Sequence, residues 1–396
     1  MRVVSGLLVV LAACGGGSPG GIDEDFGDEV IDAASKKVGG CVLHAGRDCS
    51  GMDLHGGDFT NTSSYGSKFV GTNMSGADLS RFSADDGDFT DANFSRATLD
   101  SLVLVGADLT NADLSGAHGT QTNFAEITCT GATFADAALP GVALISASCA
   151  NASFADADLT DAGFGSALLA NANFTDAHLT NANFAGADLT NADFSGADLS
   201  GVVLTGALTT GANFAGATLA GVAMAGIDLT GALLGGVDVA GGNLAGTIMT
   251  GADLAGARFA GATMSAAVLD DVTAANVDLS DVVLSQGSLK RADLRDATMA
   301  GINLTETDLT GAELSGADLT DATLRLAVLS GSNLSGAVLA GANMLGASLV
   351  GANLRGADLT QVNLGDADLT GADLTGAIMT DVILRDAITT GAIGLP

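Results

Sequence analysis

The chain has 396 residues, with 56 Gly but only 3 Pro, no Trp, a single Tyr and 4% aromatics. Charged residues make up 15% and are lopsided, 46 Asp plus Glu against 14 Lys plus Arg, for a net charge of −32. This argues against nucleic acid as a partner, because phosphate binding needs a basic face. It also argues against disorder, since 47% of the chain is hydrophobic, and against collagen for want of proline.

Taken in chain order, the sequence opens on Met1-Arg2 and an apolar run from Val3 to Ala13, then Cys14. Arg2 supplies a positive n-region and the run a short h-region, so residues 1–13 read as a signal peptide. The run is too short for a membrane-spanning helix, which needs about 20 apolar residues. Leu11-Ala12-Ala13-Cys14 resembles the lipobox of bacterial lipoproteins. That resemblance implies cleavage before Cys14 and lipid attachment to it, and hence a chain anchored in the bacterial cell envelope, at the outer membrane or cell surface. Residues 14–40 read as a linker, first a Gly/Ser/Pro tether from Gly15 to Gly21 and then an acidic spacer. Gly15, Gly17 and Gly20 fit G-x-G-x-x-G, but no strand precedes them and no helix follows, so the match is discarded.

Residues 41–51 read as an N-terminal cap. Cys41 and Cys49 lie eight apart just before the repetitive region. In an oxidising compartment they are expected to form a disulfide closing that end.

From Met52 the chain repeats every five residues, as in Ala77-Asp78-Leu79-Ser80, Ala92-Asn93-Phe94-Ser95 and Ala352-Asn353-Leu354-Arg355. If the large apolar residue is called the centre, 59 of the 68 centre positions from 54 to 389 are Leu, Phe or Met. Two residues before the centre, 42 of 68 positions are Ala. The phase never slips, so no catalytic domain is inserted. A period of five suits neither standard element. On an α-helix successive centres smear around every face, and on a straight strand every second centre points into water. The chain must bend once per repeat, winding into a coil that returns each centre inward. Gly at the corners tolerates φ > 0.

These repeats resemble the pentapeptide-repeat family, whose motif is A-(D/N)-L-x-x. The resemblance spans roughly residues 50 to 390. It implies an all-β fold, a right-handed quadrilateral parallel β-helix with four repeats per coil, hence about 17 coils over 52–396. At about 4.8 Å between strands the stack is about 80 Å long. Between Phe154 and Leu199 the centres alternate Phe and Leu, which on four faces predicts phenyl columns on two opposite faces. Cys129 and Cys149 are both centres and 20 apart. By the family geometry they stack, either as a disulfide or as two free thiols filling the core.

No enzyme signal is found: G-x-S-x-G, P-loop and H-E-x-x-H motifs are missing. His44, His55, His118 and His178 lack ligand spacing and read as solvated surface residues. Neither metal nor cofactor is expected. No Lys or Arg occurs between Arg96 and Arg258, so that stretch is expected to carry a purely negative surface. Thr90, Thr110, Thr130 and Thr190 to Thr250 fall in one broken row of the kind seen on ice-binding faces, although Thr also suits strands and corners.

Two functions follow as expectations. The first is a non-enzymatic, lipid-anchored scaffold with an unknown protein partner. The second comes from the family: some members resemble acidic B-form DNA and bind type II topoisomerases, including DNA gyrase. The charge suits that reading and the export signal opposes it. The final coil has no evident cap, so end-to-end self-association is expected unless the last residues fold over it.

Overall fold

In most repeats the centre carbonyl accepts a hydrogen bond from the N–H three residues on, as in Ala77 N to Met74 O at 3.1 Å and Ala182 N to Leu179 O at 2.8 Å. The third residue of this turn has positive φ, as at Gly76 (62°), Asn181 (59°) and Asp296 (55°). That is the pattern of a type II turn, and it explains why Gly, Asn and Asp fill the position. Each repeat is therefore one short side and one corner.

In this computed structural model the described residues are 36–219 and 222–395. The lipid-bearing candidate Cys14, residues 1–13 and most of the linker lie outside them. Lys36–Pro396 forms one unit. It opens with a hairpin in which β1 (Lys37–Val38) pairs antiparallel with β2 (Cys41–Val42). This strand begins inside the segment read as linker to residue 40, so ordered structure starts earlier than composition suggested. Cys41 is joined to Cys49 by a disulfide with Cα atoms 5.6 Å apart.

Beyond the hairpin every bridge is parallel and joins residues twenty apart, from Asp48↔Lys68 to Asp373↔Ile393. Four repeats thus close one coil, and the ladder begins at Asp48, ahead of the expected Met52. Four outward rows result: face one runs from Asp48, face two from Asp53, face three from Asp58 and face four from Ser63.

Inside, the centres and the Ala two before them are almost wholly buried. Phe134, Phe154, Phe174, Phe194 and Phe214 stack at 4.8 to 5.2 Å, nearly parallel. Phe164 and Phe184 stack on the opposite side at 4.6 Å. The two columns meet edge-to-face across the axis, Phe174 lying 5.7 Å from Phe184 at 88°. The Phe/Leu alternation therefore does place phenyl columns on opposite faces, and each ring pair adds roughly 0.5–1.5 kcal/mol beyond its burial. Cys129 and Cys149 are joined by a disulfide, Cα atoms 4.4 Å apart. Where the pattern breaks, the core compensates: Phe82 and Ala84 exchange the usual small and large positions, and both are fully buried. The centre Ser64 bonds Ser67 at 2.7 Å and the His44 carbonyl at 3.0 Å.

The coil from Ala377 to Leu395 is more open. Its centres Met379 and Leu384 are only partly buried. Ile378, Ile383, Ile388 and Ile393, one on each face, are 51–54% exposed.

Candidate functional site: the outer faces

Four of the five N–H groups in a repeat bond to backbone carbonyls. The centre reaches the next coil, as Leu79 N to Thr98 O at 2.8 Å, and the residue before it reaches the previous coil, as Asp78 N to Gly57 O at 2.9 Å. The first corner residue also bonds upward, as Gly76 N to Ser95 O, and the fourth N–H closes the turn. The fifth N–H, just after the centre, is met by the Asp or Asn side chain two residues back. Thr110 N donates to Asp108 Oδ1 at 2.9 Å, and the Thr110 hydroxyl donates to the same oxygen at 2.6 Å. The same pair of bonds recurs at Asp188 with Thr190, Asn303 with Thr305 and Asp358 with Thr360.

This gives the repeat's Asp and Asn a structural task that composition did not reveal. A neighbouring N–H left unpaired would cost stability, and the Asx side chain meets it. At three positions where the strand residue is Val, His or Ser, an acid one coil back serves instead. Asp85 caps Val105 N at 3.1 Å past Val103, Asp100 caps Thr120 N at 2.9 Å past His118, and Asp270 caps Lys290 N at 3.0 Å past Ser288. The readable signal was the triplet Asp-Leu-Thr or Asn-Phe-Thr, with acceptor and donor two residues apart.

The charge state follows from these bonds. The hydroxyl and N–H of Thr360 hold the Asp358 carboxyl below its ordinary range, and Thr370 does the same to Asp368. Asp373 is lowered to about 2, first by the Thr375 hydroxyl and N–H and then by Arg355. Part of the threonine row has the same basis: Thr90, Thr110, Thr190 and Thr230 turn their hydroxyls onto the Asp two residues back, whereas Thr130, Thr210 and Thr250 stand two residues after Thr128, Leu208 and Ile248.

His118 Nε2 lies 3.3 Å from the Thr98 hydroxyl, and His55 Nδ1 lies 2.9 Å from the Ser75 hydroxyl. His44 bonds Arg47 within the cap. Among the described residues no group of three His, Cys, Asp or Glu side chains is placed to hold a metal ion. None of their helices is long and apolar enough to cross a membrane.

The acidic surface is not uniform around the solenoid. The outward rows of faces one, two and three carry seven, seven and eight acidic residues, while the row of face four carries no charge from Ser63 to Ile383. The expectation of a purely negative surface over 97–257 is corrected accordingly: one face in four is neutral along its strand row, even where no cation occurs. Stacking at twenty-residue intervals sorts side chains that are mixed along the chain. Beyond residue 257 the returning cations pair with Asp, as Arg258 with Asp238 at 3.3 Å, Arg291 with Asp271 at 2.5 Å and Arg355 with Asp373 at 2.9 Å. A shallow depression of about 320 Å³ lies toward the far end of face four, over Gly365 and between Leu345, Asn363, Ile383 and Arg385.

A parallel solenoid of twenty-residue coils, with one Asx-capped corner per side, defines a class of repeat protein. The family described as pentapeptide repeats (8 copies) matches residues 48–83, 87–118, 167–206, 197–236, 212–251, 247–286, 288–325, 317–356 and 347–386. These matches cover well over half of the sequence, and the chain belongs to the pentapeptide-repeat family. Its fold is the family's right-handed quadrilateral β-helix. Similar solved structures include HetL, a pentapeptide repeat protein involved in heterocyst differentiation regulation from the cyanobacterium Nostoc sp. It is 31% identical, over 64% of this chain and 90% of HetL, with a TM-score of 0.19. Full-length QnrB1, a plasmid-mediated fluoroquinolone resistance protein, is 18% identical over 68% of this chain and 93% of its own, with a TM-score of 0.22. A pentapeptide repeat protein of the Arabidopsis thaliana thylakoid lumen is 28% identical over 35% of this chain and 69% of its own, with a TM-score of 0.19. No curated protein matches the chain.

Proposed function

We propose that this chain is a non-enzymatic scaffold of the bacterial cell envelope, held to the outer membrane or cell surface by lipid on Cys14 and offering its acidic rows to a protein partner. The observation that carries the reading is Leu11-Ala12-Ala13-Cys14, with Arg2 before it and the Gly15–Gly21 tether after it. The carboxylates support a scaffold rather than chemistry, because so many serve their own backbone (Asp108, Asp188, Asp358). An acidic exterior also keeps such a chain soluble and repels other acidic surfaces.

Labelling cells with a tagged fatty acid and fractionating them tests this reading. The wild-type chain is expected to carry label in the membrane fraction, and Cys14→Ser to lose both label and membrane residence. An unlabelled chain retaining Met1 in the cytosol would sink it. That result would favour the second reading, a DNA-like binder of a type II topoisomerase, which the net charge of −32 supports. Inhibition of gyrase supercoiling by the purified chain would then be the measurement.

A further inference from the structure

The fourth face is set apart by what stacking does to the sequence. Seventeen consecutive outward residues, from Ser63 through Asn183, Val203, Asn243 and Val283 to Ile383, are uncharged in a chain of net charge −32. Val203 and Val283 are exposed within this row, as are Asn183 and Asn243. We propose that face four is the surface on which a second copy of this chain docks, the two solenoids lying side by side and pointing the same way.

Three arguments select that occupant. First, two bodies that each carry −32 repel wherever their acids meet, and face four, with no acid in its strand row and eleven on its two rims, brings fewer carboxylates together than any other face. Second, the area suffices. About 17 coils at ~4.8 Å, with sides of three extended residues or ~10 Å, make a strip of ~800 Å², about what one partner buries in a standard interface. Third, the rims match. A two-fold axis parallel to the solenoid sets the corner before each face-four strand against the corner after the same strand in the other copy. Arg81 then faces Asp85 and Asp86, Arg325 faces Asp321, and Arg385 faces Asp381. These are the basic residues of the two rims, and each meets an acid. The reversed arrangement with ends aligned sets Asp161 against Asp281 and Arg81 against Gln361, so it is disfavoured.

Sedimentation equilibrium and small-angle scattering of the full chain test the proposal. The expected species is a dimer no longer than one solenoid but of greater cross-section. Asn183→Asp with Asn243→Asp adds charge to the face yet keeps the oxygens that cap Ala185 and Ala245. This variant is expected to raise the dimer dissociation constant at least tenfold. Asn93→Asp with Asn173→Asp, on face two, is the control and is expected to leave it unchanged. Arg325→Asp is expected to weaken the dimer, and adding Asp321→Arg to restore it. A monomer at the highest concentration reached, a dimer of doubled length joined end to end, or a dimer indifferent to the face-four acids would each overturn the proposal. A charge swap that fails to restore association would overturn the parallel arrangement.

Discussion

Asp373 shows how one side chain couples the repeat's backbone to pH. In the folded chain its carboxyl is lowered to about 2, first by the Thr375 hydroxyl and N–H and then by Arg355. An unfolded aspartate titrates near 3.9. Folding therefore favours the ionised form: its stabilisation is fully present above about pH 4 and is lost as pH falls through about 2. Asp373→Asn keeps an oxygen for Thr375 but does not titrate. The difference in urea midpoint between the native chain and this variant is expected to shrink as pH is lowered from about 5 to about 2. A gap that widened on acidification would contradict the capping account. The D/N choice in the repeat is intelligible on the same ground, because Asn303 and Asp358 make equivalent bonds to the following Thr. The sequence displayed the Asp-Leu-Thr triplet plainly. What it hid was the one N–H per repeat that lacks a backbone acceptor, since that follows only once neighbouring coils are in place.

At the scale of the element, the unit is the coil of twenty residues rather than the repeat of five. Each coil bonds only to the coils on either side, as Asn173 bridges Ser153 and Asp193. Stability is then close to a sum over coils and their interfaces. Removing residues 175–194 takes out one whole coil and returns Phe214 to the column above Phe174. That variant is expected to unfold cooperatively with a modestly lower midpoint. Removing only residues 177–179 destroys the phase, because Phe184 and every later centre leave the inward position. The smaller deletion is expected to be the more damaging, read by circular dichroism and urea titration; equal midpoints would refute the phase argument. The hairpin of β1 and β2 escaped the sequence reading for a related reason. Strands of two residues, Lys37–Val38 and Cys41–Val42, are too short to show periodicity, and their place is fixed by the Cys41–Cys49 disulfide and by packing on the first coil.

For the whole molecule, the governing quantity is a net charge of −32, with acids along three of the four outward rows and at the corners between them. Self-repulsion of this kind is screened by salt, the Debye length falling from about 30 Å at 0.01 M to about 8 Å at 0.15 M. The urea midpoint is expected to rise over that range. Amide exchange should slow most in residues 97–257, where no Lys or Arg offsets the acids. Beyond them Arg258, Arg291 and Arg355 already pair with Asp, and screening weakens those pairs. A midpoint that falls with salt would show that ion pairs, not repulsion, dominate.

The sequence by itself determined a coil and its burial pattern; the number of sides, on which the phenyl columns depend, was implied by the family resemblance and is fixed by bridges between residues twenty apart. A period of five leaves a regularly bending chain only one way to bury every centre, and Phe/Leu alternation divides evenly into a four-sided coil. Only the tertiary structure decided which outward residues become neighbours. Asn183 and Val203 are separated by acids along the chain but lie side by side in adjacent coils, so the uncharged row and its matched rims emerge only when the coils are stacked.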